Sequence, residues 1–157
     1  MKYLLIRHGK TDANRLTRAA YGKKGAPINA QGIERATELK NKLLGRGIDL
    51  TKVVAATSEL LRTQQTAEAA GITKYVTYRL LNEVKTSDPQ ITNDLIKRRV
   101  LPKEAVAAAR KLLKNPPKEK IWVTHGLLIA AILSELHITG QADFVPDFCS
   151  IIEIEIT

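Results

Sequence analysis

Two histidines stand directly before glycine, and each comes just past an apolar run of strand length. His8-Gly9 follows residues 2–6, and His125-Gly126 follows residues 121–124. A histidine at a strand end faces the crevice where α/β proteins bind ligands, and the glycine lets a ligand approach the backbone. One such histidine would more simply be structural. Two in equivalent places, one of them directly after an arginine, instead favour a ligand-binding role at that crevice.

Two arginines suit the same site. Arg7 lies beside His8, and Arg62 lies near the start of a predicted helix. The planar guanidinium binds phosphate through two parallel hydrogen bonds, and the N-terminus of a helix also favours an anion. Taken alone, Arg62 would equally suit a solvated helix face. Together with the histidines, the arginines indicate a phosphate site.

Alternating strand and helix patterns position these residues. Apolar runs predict strands at residues 2–6, 53–57, 75–78 and 121–124, and alternation predicts an edge strand at 150–156. Helices are predicted at 30–46, 58–70, 102–113 and 127–136, the second capped by Ser58. Residues 12–29 read as an irregular connection, and residues 80–101 have weak periodicity. The order predicts one domain over residues 1–157, a three-layer α/β/α sandwich with a mostly parallel sheet.

The first helix shows the clearest apolar spacing. Its predicted core-facing positions are Ile33, Ala36, Leu39, Leu43 and Leu44.

The composition indicates that the binding partners are anionic but does not indicate their chemical class. The 157 residues carry 25 Lys and Arg against 16 Asp and Glu, a net charge of +9, which favours anionic partners. Aromatic residues are only 4%, so a basic nucleic-acid-binding module is the weaker alternative and no nucleic-acid partner is expected. The single cysteine, Cys149, excludes an internal disulfide framework. No run near the start suits a signal peptide or membrane span, so we expect a cytoplasmic protein without a membrane partner.

Five segments in order resemble the histidine phosphatase superfamily, the phosphoglycerate mutase-like proteins with an Arg-His-Gly motif. They are Leu5-Ile6-Arg7-His8-Gly9-Lys10-Thr11 with Asn14, Pro27-Ile28-Asn29-Ala30-Gln31-Gly32, Ser58-Glu59-Leu60-Leu61-Arg62-Thr63-Gln64-Gln65-Thr66-Ala67, Leu81-Asn82-Glu83, and Val123-Thr124-His125-Gly126.

The resemblance implies a role for each matching residue. His8 attacks phosphorus and becomes a transient phosphohistidine, while Arg7, Arg62 and His125 surround the phosphoryl oxygens. Glu83 protonates the leaving oxygen and then assists the attacking water. No metal and no cofactor are expected, because two guanidiniums neutralise a phosphate dianion.

Asn14 also matches the family pattern. The resemblance makes it a phosphate-binding residue, and capping of its own loop is an equal reading of the sequence.

The chain departs from the family pattern near the acid. Residues 84–88 lack the glycine that usually follows the glutamate, which leaves Asp88 or Asp12 as alternative acids to Glu83. Leu127 replaces a second glycine after His125, and alanine at Ala130 replaces a frequent arginine.

Spacing favours a phosphatase over a mutase. From Glu83 to His125 there are 125 − 83 = 42 positions, which leaves little chain for a lid that would protect a phosphoenzyme from water. The predicted function is hydrolysis of phosphate monoesters. The alternatives are a protein phosphohistidine phosphatase and, less favoured, a phosphoglycerate mutase-type phosphotransferase. The substrate is a phosphorylated small molecule or phosphoprotein.

One basic run bears on the substrate. Lys97-Arg98-Arg99, with Lys103, either lines the crevice for a polyanion or forms a solvated face.

Overall fold

The structure, a computed structural model, describes residues 1–14, 16–141 and 143–157. Five strands form one sheet in the order β3-β2-β4-β1-β5. They are β1 (Lys2–Arg7), β2 (Val54–Thr57), β3 (Lys74–Thr77), β4 (Ile121–Thr124) and β5 (Ile151–Glu155). All neighbouring pairs are parallel except β1 and β5, so the predicted edge strand is the single antiparallel one of the described sheet.

Five α-helices cover the two faces of the sheet. They are α1 (Ala30–Gly45), α2 (Leu61–Ala69), α3 (Pro89–Lys97), α4 (Lys103–Lys114) and α5 (Gly126–Glu135). Short 3₁₀ turns span Arg18–Tyr21 and Arg79–Leu81. No helix in the described part of the chain combines the length and the apolar character needed to cross a bilayer.

Alternate strand residues point into two separate cores. Leu5 and Trp122 pack against α4 and α5, whereas Ile6 and Val123 pack against α1 and α2. Successive side chains of a strand face opposite sides of the sheet, so each central strand contributes to both cores. The fold is the predicted three-layer α/β/α sandwich, and Trp122 of the central strand β4 is fully buried.

The first helix confirms its predicted span but buries only part of the predicted stripe. Asn29 caps α1 by accepting a hydrogen bond from Gly32 N at 2.9 Å. The buried positions are Gly32, Ala36, Leu39 and Leu43. The predicted core positions Ile33 and Leu44 were wrong and lie exposed, because Gly32 begins the buried stripe and rotates it away from them.

Two further predictions need correction. The weak periodicity of residues 80–101 predicted no helix there. The segment nevertheless contains α3, which begins at Pro89 and is capped by Asp88. Ser58 is not the N-cap of α2. The chain bends at Glu59 and Leu60, Leu60 is the N-cap, and α2 begins at Leu61.

Candidate active site

The chemistry-bearing residues follow three neighbouring strands. His8 comes after β1, Ser58 after β2 and His125 after β4, and β4 lies between the other two strands. The carboxyl ends of parallel strands meet at one edge of the sheet, so the three side chains converge. The rings of His8 and His125 lie 5.1 Å apart between centroids.

The ring of His8 has a defined orientation and tautomer. Its Nδ1 lies 2.7 Å from the Gly9 carbonyl oxygen, and its Nε2 lies 3.3 Å from Arg62 Nε. Because Arg62 Nε–H is only a donor, Nε2 accepts and Nδ1–H donates to Gly9. Burial, and next the charge of Arg62, hold the pKa of His8 well below its ordinary 6.5. His8 is therefore neutral at pH 7, with its lone pair on Nε2.

The loop after His8 is fixed by close backbone packing. Gly9 N donates to Thr66 Oγ1 at 2.8 Å. A Cβ on Gly9 would lie 3.0 Å from the Gly32 carbonyl oxygen, and one on Gly32 would collide with the Lys10 backbone. Residues 27–32, which resemble the second of the five family segments, therefore support the loop after His8 through the contact between Gly32 and Gly9.

We expect Gly32→Ala to destabilise the protein by about 1–3 kcal/mol, because the added methyl group meets backbone that cannot move cheaply. Urea unfolding measures the loss. The matched control is Gly45→Ala, at a position where a Cβ meets nothing within 4 Å. There alanine should stabilise, since it favours the helix. Equal effects of the two substitutions would contradict a special role for Gly32.

His125 is fully buried and also neutral. Burial, and next the neighbouring His8, hold its pKa well below the ordinary 6.5. Its Nε2 lies 2.9 Å from Ser58 Oγ. Its Nδ1 is buried and has no hydrogen-bond partner within the described residues. That atom faces the same side of the site as Glu83, whose Oε2 lies 3.9 Å away.

The two predicted arginines both line the site. Arg62 is buried on α2 and contacts both His8 and Glu83. Arg7 is held at the end of β1, where its Nη1 donates to the Pro146 carbonyl oxygen at 2.6 Å. Its guanidinium lies 3.9 Å above the Phe148 ring. These contacts orient the planar guanidiniums before any anion enters.

Glu83 lies in the site as predicted. Its carboxylate forms ion pairs with Arg62 and with Arg18, and its side chain is 14% exposed. Arg18 comes from the 3₁₀ turn within the long connection after β1, and nothing in its local sequence distinguished it from the other exposed cations. The structure thus adds a third guanidinium to the predicted pair.

Asn14 lines the cleft and also caps its own loop. Its side-chain oxygen accepts from Leu16 N at 2.8 Å and Thr17 N at 3.1 Å. Only its amide nitrogen is able to donate to an anion.

The alternative acids have structural roles instead. Asp88 accepts from Gln90 N at 2.9 Å and caps α3. Asp12 accepts from Asn29 Nδ2 at 3.0 Å. Neither aspartate lines the cleft, which leaves Glu83 as the carboxyl group among its lining residues.

The cleft has a volume of about 290 Å³. Apart from the charged groups, its walls include Asn93 and Ile96 of α3 and Val145 and Phe148 of the segment before β5. Sequence reasoning missed these wall residues. The basic run Lys97-Arg98-Arg99 is exposed and, like Lys103, does not line this cleft, so the solvated-face interpretation holds. Within the described ranges, no cluster of three or more His, Cys, Asp or Glu side chains could hold a metal ion.

A family model for the histidine phosphatase superfamily, branch 1, matches residues 3–99. The chain belongs to this superfamily. The matched region includes His8, Arg62 and Glu83 and stops before His125, which the fold brings back to the site beside β1.

One curated relative agrees with the assignment to this superfamily. The chain is 41% identical over 66 residues to the broad-specificity phosphatase YOR283W of Saccharomyces cerevisiae. That match spans 42% of this chain and 27% of the yeast protein, so it covers about a quarter of the relative's length.

Solved structures show the same fold. The protein TTHB049 of Thermus thermophilus has 22% sequence identity and a TM-score of 0.68, with 99% of this chain and 94% of that chain covered. A phosphoserine phosphatase of Entamoeba histolytica has 19% identity and a TM-score of 0.64, with coverage of 97% and 89%.

Proposed function

We propose that the protein is a metal-independent phosphatase that hydrolyses phosphate monoesters through a phosphohistidine on His8. The observation that carries this proposal is the neutral His8 ring, whose Nε2 accepts from Arg62 Nε–H in a cleft lined by the guanidiniums of Arg7, Arg18 and Arg62; a phosphate that binds the Arg62 guanidinium releases this lone pair. A nucleophile beside several fixed cations suits phosphoryl transfer, in which positioning and charge stabilisation supply most of the catalysis. The yeast relative's name, a broad-specificity phosphatase, supports the same reaction class.

The first half-reaction forms a phosphorus–nitrogen bond. Nε2 of His8 attacks phosphorus while the bond to the leaving oxygen breaks, and that oxygen takes a proton from Glu83. Arg7, Arg62 and His125 hold the equatorial oxygens, with Asn14 donating from its amide nitrogen. In the second half-reaction water gives a proton to Glu83 and attacks phosphorus, which restores the Nε2 lone pair and releases phosphate.

Glu83 must carry a proton when the leaving oxygen departs. In the structure two guanidiniums face its carboxylate, which favours the charged form. A phosphate dianion in the cleft competes for those same guanidiniums and repels the carboxylate, which favours the protonated form. Substrate binding itself therefore prepares Glu83 as the acid.

Hydrolysis is favoured over mutase chemistry by the walls of the cleft. The chain between Glu83 and His125 contributes Asn93 and Ile96 of α3 to the cleft, and the rest forms α4 and β4. A lid that excludes water would need additional chain. The second candidate is a protein phosphohistidine phosphatase. The small bacterial enzymes of that type work without the glutamate, so the presence of Glu83 in the cleft favours a phosphate-monoester phosphatase. A cytoplasmic location and the lack of a nucleic-acid partner remain predictions.

We expect hydrolysis of a generic aryl phosphate to continue in excess chelator. The three arginines that line the cleft supply the positive charge that a metal would otherwise supply. The measurement compares initial rates with and without chelator, after dialysis. Complete loss of activity that a divalent cation restores would contradict metal independence.

We expect the acidic limb of the pH–rate profile to lie below pH 6.5. His8 needs an unprotonated Nε2, and its pKa is held well below 6.5 by burial and the nearby arginines, so activity falls only as the pH drops through that lowered value. The profile of kcat/KM is measured on an aryl phosphate and corrected for the substrate's own ionisation. A limb at or above pH 6.5 that tracks the enzyme rather than the substrate would show that His8 is not the titrating nucleophile.

A further inference from the structure

Ser58 is a buried hydroxyl with three hydrogen-bond partners, and one of them is His125. Its Oγ lies 3.1 Å from Leu60 N, 2.8 Å from Thr63 Oγ1 and 2.9 Å from His125 Nε2. Ser58, Thr63 and His125 are all fully buried. The proposed reaction as described above does not use Ser58 or Thr63.

The hydroxyl of Ser58 has one proton and two lone pairs for these partners. Leu60 N–H is only a donor, so it occupies one lone pair. Two arrangements remain. Ser58 donates to His125 and accepts from Thr63, or it accepts from His125 and donates to Thr63. The first places the imidazole proton of His125 on Nδ1, and the second places it on Nε2.

The surroundings of Nδ1 favour the first arrangement. Nδ1 lies 3.9 Å from the Glu83 carboxylate, and a lone pair there would face a negative charge, whereas an N–H would be attracted to it. Thr63 Oγ1 has a competing acceptor in the Leu60 carbonyl oxygen at 2.9 Å. That contact alone would suit the second arrangement, so the preference rests on Glu83: with the His125 proton on Nδ1, Ser58 donates to Nε2 and the Thr63 proton lies between the two hydroxyl oxygens, which are 2.8 Å apart.

We propose that Ser58, supported by Thr63, is a positioning residue that holds neutral His125 as the Nδ1–H tautomer, so that it donates a hydrogen bond to a phosphoryl oxygen. The effect of this tautomer on the reaction rate rests on the proposed function, whereas the tautomer itself does not. The wrong tautomer would present a lone pair to the phosphate, and an imidazole held in the wrong tautomer loses a large part of its catalytic rate.

Nitrogen NMR of the protein labelled at histidine tests the tautomer directly. At pH 7 we expect His125 to show a protonated Nδ1 and an unprotonated Nε2, the same pattern as His8, whose Nδ1–H donates to Gly9. A protonated Nε2 on neutral His125 would overturn the proposal. This measurement does not depend on turnover, so it separates a failure of the tautomer from a failure of the proposed function.

Variants test the consequence for anion binding and rate. We expect Ser58→Ala to lose the preference for a proton on Nδ1 of His125 and to lower both vanadate affinity and kcat/KM roughly 10- to 100-fold. Removal of the hydrogen-bond partner that orients a metal-bound histidine in other proteins has an effect of this size. Thr63→Val should lower vanadate affinity and kcat/KM in the same direction but by less. Thr63→Ser should keep the wild-type tautomer of His125, because serine keeps the hydroxyl group.

The matched control is Thr37→Val. Thr37 also donates to a helical carbonyl oxygen, Ile33 O at 2.8 Å, but lies exposed on α1 away from the cleft. It should leave the His125 signals and the rate unchanged. A Ser58→Ala protein that keeps both the Nδ1–H tautomer and wild-type vanadate affinity would reduce Ser58 to a structural role.

A second observation concerns what lies beyond Glu83. The cleft shares Arg18, Arg62 and Glu83 with a neighbouring cavity of about 390 Å³. That cavity shares Lys23, Glu83 and Lys85 with a third, of about 1160 Å³. We call the second and third cavities together the lysine groove. Glu83 stands where the cleft meets the groove, so a leaving group protonated by Glu83 would lie at the entrance of the groove.

Four lysines from three segments of the chain line this groove, and none forms an ion pair within the described chain. They are Lys23, Lys24, Lys85 and Lys111. Of the carboxylates beyond Glu83, Glu59 pairs with Arg79 at 3.5 Å, which leaves Glu104 as the remaining negative charge among the lining residues. Cations that converge on one groove attract an anion more than scattered ones do.

We infer that the leaving group of the substrate carries a further anionic group, which the lysine groove binds. This also rests on the proposed function, and binding rather than turnover tests it. The probes are two alkyl phosphonates of equal length, one ending in a second phosphonate and one in a hydroxyl group. Calorimetry at low salt should show about tenfold tighter binding of the bisphosphonate, and the ratio should shrink as salt is added.

The double variant K23Q/K85Q should bring that ratio close to one, whereas K97Q/K103Q, which removes two exposed lysines outside the groove, should not change it. A ratio of one in the wild type, or equal effects of both double variants, would overturn the inference. Phosphoserine peptides with acidic or neutral flanks then distinguish a protein source of the second charge from a small molecule.

Discussion

His8→Ala should lower turnover of an aryl phosphate by several orders of magnitude. The variant lacks the Nε2 lone pair that attacks phosphorus, and no other described nucleophile lies at that point of the cleft. Orthovanadate should still bind, although more weakly, because Arg7, Arg62 and His125 remain. Steady-state rates and vanadate inhibition measure the two effects separately.

The matched control for that variant is His137→Asn. His137 follows α5, is exposed, and has a φ of 56°, a conformation that asparagine tolerates. This substitution removes an imidazole without touching the cleft, so the rate should stay at the wild-type level. Activity of His8→Ala within about tenfold of wild type would reject covalent catalysis by His8.

Glu83→Gln should discriminate between leaving groups. An alkoxide needs a proton as its bond to phosphorus breaks, whereas a nitrophenolate leaves nearly unaided. The phosphorylation step should therefore slow on the order of 10²-fold or more on an alkyl phosphate and much less on an aryl phosphate. Single-turnover rates are needed, because the dephosphorylation step uses the same carboxyl group. The basic limb of the alkyl pH–rate profile should also move or vanish.

Asp88→Asn provides the comparison for that carboxyl group. Asparagine also caps helices well, so α3 should persist and neither substrate should lose rate. Equal and small losses on both substrates in Glu83→Gln would mean that Glu83 only neutralises the arginines. A leaving-group effect in Asp88→Asn would instead restore Asp88 as the acid.

The strands and most helices were predictable because their signals are local. The buried run 121–123 is continuously apolar, and α1 has an asparagine cap with regular apolar spacing. The missed helix α3 also had a local signal. Asp88 followed by Pro89 is a cap followed by a residue favoured in the first helical turn, although the periodicity of residues 80–101 is weak.

Parts of the site were not predictable because they depend on tertiary contacts. Ser58 reads locally as a helix cap, and its contact with His125 joins positions 67 residues apart. Arg18 lies in an irregular connection, where only the fold brings it to Glu83. Sequence patterns identified the side chains that meet phosphate, whereas the groups that orient and neutralise them emerged from packing.

The most direct test uses Glu83→Gln with an aryl phosphate. The aryl group leaves without an acid while water attack lacks its base, so the phosphoenzyme should accumulate. The reaction is quenched in alkaline denaturant, because phosphohistidine hydrolyses in acid, and the phosphorylated peptide is identified by mass spectrometry. We predict close to one phosphoryl group per chain, on His8. Continued turnover with no covalent phosphate, or phosphate on any other residue, would contradict the account.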